Sequence, residues 1–326
     1  MKICLITQIY NAEDRLVDWI SYHKKIGIDR IIIFDDLSTD KSSNIVSDYN
    51  KIDSSVTLEF SDKEHKTNIK YNSGNDYAAD DVIHQRIIRS YNKGLNIIKK
   101  EWNTQEFNTY KNNNLYNVEY MENIYKTDWF GKTINLSDLS QDRKIKIQKP
   151  INNKIDSSVE PHLVIFLDID EYLSLLNFTK IKDELNEIDF INYDRFFLVS
   201  FDMQPPKEGK FSKNIPVYLQ SNKRWSDYTR FHKTGWDSRT KMMVLANTCK
   251  SIWSVHTADI HDYNEFSISV LSDSFIKFNE KKEYVDIVKS DKNRIRILHF
   301  RDFPQAEINN IIYDEVDNTI KNIMDV

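Results

Sequence analysis

Glycine and proline are scarce in this 326-residue chain, with six of each. So little glycine excludes collagen-like sequence and flexible Gly-rich linkers. No G-x-G-x-x-G or G-x-x-x-x-G-K-[ST] run occurs, which excludes the loops that cradle phosphate on backbone amides. A nucleotide bound here would need its phosphates held by other groups. Cysteine is rarer still, Cys4 and Cys249 only, too few for a disulfide framework or a zinc site. Cys4 lies in an apolar run and reads as a small buried hydrophobe, and the pair fits a reducing compartment. No stretch approaches the ~18–20 apolar residues of a membrane span, and Met1–Ile6 turns polar at Thr7, too soon for a signal peptide. The expectation is a soluble, cytoplasmic chain without a transmembrane anchor. Excess positive charge is missing too. A formal charge of −5, with 45 Lys and Arg spread along the chain, gives no electrostatic reason to expect nucleic acid.

What is present is a large core. Hydrophobic residues make up 40% and aromatics 12%, enough for one large domain or two ordinary ones. Ile3–Ile6 and Arg30–Phe34 are short continuous apolar runs, as expected of strands covered on both faces. Between them Asn11 is placed to cap a helix with Glu13 and Asp14 in its first turn, Leu16, Trp19, Ile20 and His23 on one face, and Gly27 closing it. A short helix and a strand Val56–Phe60 follow, so two βαβ steps imply a parallel sheet. A long helix is expected over Tyr77–Lys99, with Ile83, Ile87, Tyr91, Leu95 and Ile98 on one side. Residues 101–160 form an Asn-, Lys- and Tyr-rich insertion. Strands are then expected at 162–167, 196–201, 217–219, 241–245, 252–255 and 295–298, and a terminal amphipathic helix at about 305–322.

Two acidic clusters follow apolar strands. After Leu167 comes Asp168-Ile169-Asp170-Glu171, and the carboxyl edge of a buried strand is where ligands bind in open α/β sheets. Read as a continuing strand, Asp168 and Asp170 lie on one side about 7 Å apart. Like-charged hard oxygens so placed call for a divalent cation, Mg²⁺ or Mn²⁺, which could in turn take diphosphate oxygens. The plainer alternative is a polar strand end with helix-capping acids. Asp35-Asp36-Leu37-Ser38-Thr39-Asp40 follows the second strand. Its carboxylates suit a nucleobase N–H or ribose hydroxyls, and equally suit ordinary turn chemistry. His256 and His299 each end an apolar strand and could complete a metal site, whereas His23, beside Trp19, reads as structural.

In this order the pieces resemble a GT-A glycosyltransferase of the family 2-like and family 92-like group. One stretch reads N-x-E-(x5)-W-(x3)-H-(x3)-G-(x7)-D-D-x-S-T-D, met by Asn11, Glu13, Trp19, His23, Gly27, Asp35, Asp36, Ser38, Thr39 and Asp40. The other is the apolar strand ending in D-x-D-E with an aromatic next, here Asp168, Asp170, Glu171 and Tyr172. Fainter echoes are Gln85, Lys241, His256 and Leu298-His299-Phe300. The resemblance implies a Rossmann-like, mostly parallel α/β sheet flanked by helices, plus an insertion and a C-terminal helix. It implies a nucleotide-binding half at 1–100, the insertion at 101–160, a metal and acceptor half at 161–265 and an extension at 266–326. It further implies transfer of a sugar from a nucleotide-diphosphate sugar, a UDP-sugar by analogy, to a hydroxyl of a glycan or glycosylated protein with Mn²⁺ or Mg²⁺. Thr7, Asn11, Glu13, Asp35, Asp36, Gln85, Asp168 and Lys241 would then hold the donor, and Asp168, Asp170, His256 and His299 the metal.

The chain departs from that family in its long insertion, in lacking the membrane anchor usual in eukaryotic family 92 enzymes, and in lacking a clear x-E-D element. Asp202 and Asp237 are the nearest candidates for the catalytic base. Two rivals stand beside this expectation. A haloacid dehalogenase-type phosphatase also places D-x-D after an apolar strand, but near the N-terminus and before small or hydroxylated residues. A glycan-binding protein on the same frame would have lost turnover.

Overall fold

A computed structural model describes residues 1–61, 76–104, 125–127, 133–135, 160–175, 177–186, 195–206, 209–213, 215–225, 240–254, 257–260, 269–270, 276–278, 284–287, 295–302 and 313–325. The first elements are β1 (Lys2–Ile9), α1 (Leu16–Lys25), β2 (Arg30–Asp35), α2 (Ser42–Ile52), β3 (Val56–Phe60) and α3 (Asp76–Glu101). Two short strands, β4 (Tyr125–Thr127) and β5 (Thr133–Asn135), pair antiparallel. Then come β6 (His162–Phe166), β7 (Glu171–Leu175), α4 (Ile181–Leu185), β8 (Arg195–Asp202), α5 (Val217–Gln220), β9 (Lys223–Trp225) and β10 (Thr240–Leu245). The remaining elements are β11 (Cys249–Ser254), β12 (Thr257–Ile260), β13 (Ser269–Val270), β14 (Ile276–Phe278), β15 (Tyr284–Ile287), β16 (Ile295–His299), β17 (Tyr313–Val316) and α6 (Thr319–Asp325).

Among the described residues the central sheet has nine strands and runs β3-β2-β1-β6-β10-β8-β16-β7, with β13 also on β8. It is a mixed α/β architecture with a mostly parallel sheet. Strands β3, β2, β1 and β6 are mutually parallel, β10 is antiparallel to both β6 and β8, and β16 is parallel to β8. Because β1 and β2 are covered on both faces, their residues alternate between two cores. Ile3, Leu5, Ile31 and Ile33 pack with Leu16, Trp19 and Ile20 of α1, while Cys4, Ile6, Ile32 and Phe34 pack under Tyr91, Leu95 and Ile98 of α3. Helix α3 comes so close to the sheet that a Cβ on Gly94 would stand 2.8 Å from Ile6 Cδ1 and 3.2 Å from Phe34 Cε2.

Among the described strands β7 ends the sheet, and helix α1 covers its outer edge with side chains. Trp19 Nε1 donates to the Glu171 carbonyl at 2.8 Å, and Tyr22 Oη donates to the Leu173 carbonyl. The Leu173 N–H donates to His23 Nε2 at 3.4 Å, while His23 Nδ1 meets the Trp19 carbonyl at 2.8 Å. These bonds require the neutral imidazole with its proton on Nδ1. Burial pushes the His23 ring down to about 3, against the opposing pull of the Trp19 carbonyl. Gly27 stands just past the end of α1 at φ +96°, the left-handed conformation its position predicts.

Several sequence expectations change. Helix α1 begins at Leu16, not after Asn11. Asn11 is itself left-handed, φ +50°, and spends its Oδ1 on the Thr39 N–H at 2.8 Å. Residues 217–219 form a single helical turn rather than a strand, because the Pro216 carbonyl accepts the Leu219 N–H at 3.0 Å. The long terminal helix is replaced by β17, antiparallel to β9, and the shorter α6, whose first turn Asp317 caps through the Thr319 N–H at 3.1 Å. Residues 303–312 lie outside the described residues.

Candidate active site

The topology gathers one edge of the sheet into a site. Parallel β1, β2, β6, β8 and β16 all finish there, and antiparallel β10 and β7 begin there. That edge carries Asp35 ending β2 and Asp36 after it, Asp168 and Asp170 after β6, Lys241 at the start of β10, Asp202 ending β8, His299 ending β16, and Glu171 opening β7. Register aligns His299 with both Asp202 and Glu171.

The D-I-D-E segment is a turn rather than the continued strand expected from sequence. Strand β6 stops at Phe166, and the Glu171 N–H closes back on the Asp168 carbonyl at 3.1 Å. The two aspartates therefore face different partners. Asp168 Oδ2 meets Lys241 Nζ at 2.6 Å, with the Asp168 side chain 44% exposed and that of Lys241 only 6%. Glu171 Oε2 accepts the Asp168 N–H at 2.9 Å and lies 3.5 Å from Lys241 Nζ. Burial works against the lysine's charge, but Asp168 and Glu171 outweigh it and hold the ammonium protonated well above the usual range. Burial pushes the Glu171 carboxyl up, with Lys241 opposing.

Asp170 Oδ2 meets His299 Nε2 at 3.3 Å and Arg15 at 4.0 Å. Burial would raise this carboxyl, but His299 and then Arg15 hold it down to about 2. The other ring nitrogen of His299 faces Asp202 Oδ1 at 3.4 Å. With a carboxylate at each nitrogen, the ring is an imidazolium. Burial opposes its charge, yet Asp170 and Asp202 raise it to about 10. Asp202 also lies 3.6 Å from Arg301. Arg15 binds the Phe300 carbonyl at 2.9 Å and approaches Asp302 at 3.7 Å, tying the loop after β1 to the loop after β16.

At the other end of the edge, the loops after β1 and β2 interlock. The Asn11 N–H donates to Ser38 Oγ at 2.9 Å, the Glu13 N–H to Asp40 Oδ2 at 3.1 Å, and the Lys41 N–H to Glu13 Oε2 at 2.9 Å. Asp35 accepts the Ser38 N–H at 2.8 Å and the Ser43 hydroxyl. Most of the N-x-E and D-D-x-S-T-D residues are thus committed to holding two loops together. Asp36 pairs with Arg86 of α3 at 2.7 Å, and Gln85 beside it is exposed. Thr7 is buried, and its hydroxyl meets no hydrogen-bond partner among the described residues.

Asp168, Asp170, Asp202, Lys241 and His299 therefore come together, and Asp35, Asp36, Asn11, Glu13 and Thr7 line the same edge. Asp237 and His256 lie outside the described residues. Sequence reasoning missed Arg15, Arg86 and Arg301, whose partners are remote along the chain and leave no local signal. Among the described residues no group of three or more His, Cys, Asp and Glu side chains is arranged to hold a metal. Two carboxylates projecting from a turn, Asp170 already ionised, fit hard divalent cations such as Mn²⁺ and Mg²⁺. A His299 ring engaged at both nitrogens does not fit as a ligand in this arrangement. No described helix is long and apolar enough to cross a membrane.

Residues 1–83, from β1 into α3, match glycosyltransferase family 92. No curated protein matches the chain. Among solved structures it is similar to that of S. aureus TarS 1-349, with 14% identity, a TM-score of 0.30 and 76% of this chain covered. The chain spans about half, 47%, of that TarS chain.

Proposed function

From the glycosyltransferase family 92 match over residues 1–83, we propose that the chain is a metal-dependent glycosyltransferase. It moves a sugar from a nucleotide-diphosphate donor, a UDP-sugar by resemblance, to a hydroxyl of a glycan or glycosylated protein. One observation carries this. The family-matched segment and the Asp168–Asp170 turn occupy the same sheet edge, and Trp19 and Arg15 of that segment bond directly to Glu171 and to Phe300 beside Asp170.

Asp168 and Asp170 would hold Mn²⁺ or Mg²⁺, which when bound neutralises charge developing on the leaving diphosphate. The chain's own groups do the rest. Arg15 and His299 keep Asp170 ionised and oriented. Asp36, held by Arg86, lies at the end of the edge that the resemblance gives to the nucleoside. Asp202 is enclosed by His299 and Arg301 and orients the imidazolium, so Asp237 keeps the role of accepting the proton of the incoming hydroxyl.

Thermal stability with UDP, GDP, dTDP and CMP, each with and without Mn²⁺, tests this. The expected result is a Mn²⁺-dependent gain with one nucleotide, about 2.7 kcal/mol at a hundredfold excess over Kd, absent in Asp170→Asn. A wild-type protein stabilised by none of the four overturns the proposal.

A further inference from the structure

The lysine beneath the Asp168–Glu171 turn is too enclosed to meet a ligand directly. Lys241 stands at the start of β10, two residues before Met243, which pairs with Ile165 of β6. Its ammonium reaches Asp168 Oδ2 at 2.6 Å and Glu171 Oε2 at 3.5 Å, and Glu171 Oε2 takes the Asp168 N–H at 2.9 Å. These contacts close a ring of which Asp168 alone reaches solvent, Glu171 and Lys241 being buried. Apolar side chains of similar volume in place of all three members would often serve stability as well as such a buried ionic cluster. What the cluster supplies is geometry.

We propose that Lys241 is a positioning residue: with Glu171 it fixes the Asp168 carboxylate, so that its exposed side is presented to a metal–diphosphate ligand. This rests on the function proposed above. Outer partners of ligating carboxylates typically matter about 10–100-fold in metal affinity.

The test compares wild type with Lys241→Met by hydrogen exchange of the free protein and by electron paramagnetic resonance of Mn²⁺ with UDP. In the variant, exchange across residues 167–172 is expected to speed up while β1 and β2 stay protected. Affinity for Mn²⁺ with UDP is expected to fall about 10–100-fold, with metal-free UDP binding unchanged. Lys241→Arg, which keeps the charge, recovers part of both losses. Should Lys241→Met fail to fold, Glu171→Gln breaks the same ring and is judged by the same two measurements. Undiminished Mn²⁺–UDP affinity in a folded variant overturns the positioning role alone, and so does unchanged exchange at 167–172. If wild type takes Mn²⁺ with GDP, dTDP or CMP instead, that nucleotide replaces UDP in the comparison; a wild-type protein that binds Mn²⁺ with none of the four overturns both this role and the glycosyltransferase proposal.

Discussion

Individual residues of the N-terminal motif serve mainly to fix architecture. Trp19 is a test case, since its indole N–H satisfies the Glu171 carbonyl one residue beyond the D-x-D. Trp19→Phe leaves that buried carbonyl unpaired, with an expected loss of about 1–3 kcal/mol in urea unfolding. His23 makes a prediction with a sign. Its folded value of about 3 lies below the ordinary 6.5, so the unfolded chain takes up the proton first as pH falls. The stability tied to the neutral ring is complete above about pH 6.5 and drains away towards pH 3, by at most about 1.4 kcal/mol per pH unit. His23→Gln removes this proton. The stability gap between wild type and variant should therefore narrow from pH 6.5 to 4.5, and parallel curves would refute the assignment. Glu171 and His299, both shifted upward, titrate equally in the two proteins and cancel from the comparison. The structural role of His23 was legible from its place beside Trp19 on an apolar face. The ion pairs of Arg15 were not, because Asp170 and Asp302 lie far along the chain.

At the scale of elements, continuous apolar runs were reliable where a strand is covered on both faces, as in β1, β2 and β6. Periodicity misled where pairing elsewhere in the fold overrode it. Ile308, Ile311, Ile312, Val316 and Ile320 are spaced as a helix, yet Tyr313–Val316 pairs with β9, a tertiary preference that local pattern does not carry. The 217–219 run was too short to separate strand from helix, and Pro216 started a turn. Helix α3 allows a sharper prediction at Gly94. Alanine there improves helix propensity by about 0.5–1 kcal/mol, but its Cβ would press on Ile6 and Phe34 inside a filled core. Overpacking of this kind costs about 1–3 kcal/mol. Gly94→Ala is therefore expected to lower the urea midpoint, and a stabilised variant would show that α3 shifts away freely.

For the whole molecule, the strands of residues 1–100 share one sheet with strands from later in the chain. Strand β1 is flanked by β6 as well as β2, and α1 packs its aromatic face on β7. A fragment of residues 1–104 would leave an edge of β1 unpaired and Trp19 and Tyr22 uncovered. It is expected to show no cooperative urea transition and poorly dispersed amide resonances; a well-dispersed spectrum would count against this. The clustering at one sheet edge followed from the parallel order that the βαβ steps imply. The return strands β10 and β7, which bring Lys241 and Glu171 to that edge, needed the pairing itself. Strand β7 closes the molecule on that side, and Trp19, Tyr22 and His23 occupy its outward hydrogen-bonding groups much as another strand would. A bare strand edge is a template for another chain. Loosening α1 would therefore invite strand-to-strand association between copies, so resistance to aggregation and the shape of the Asp168–Glu171 turn depend on the same helix.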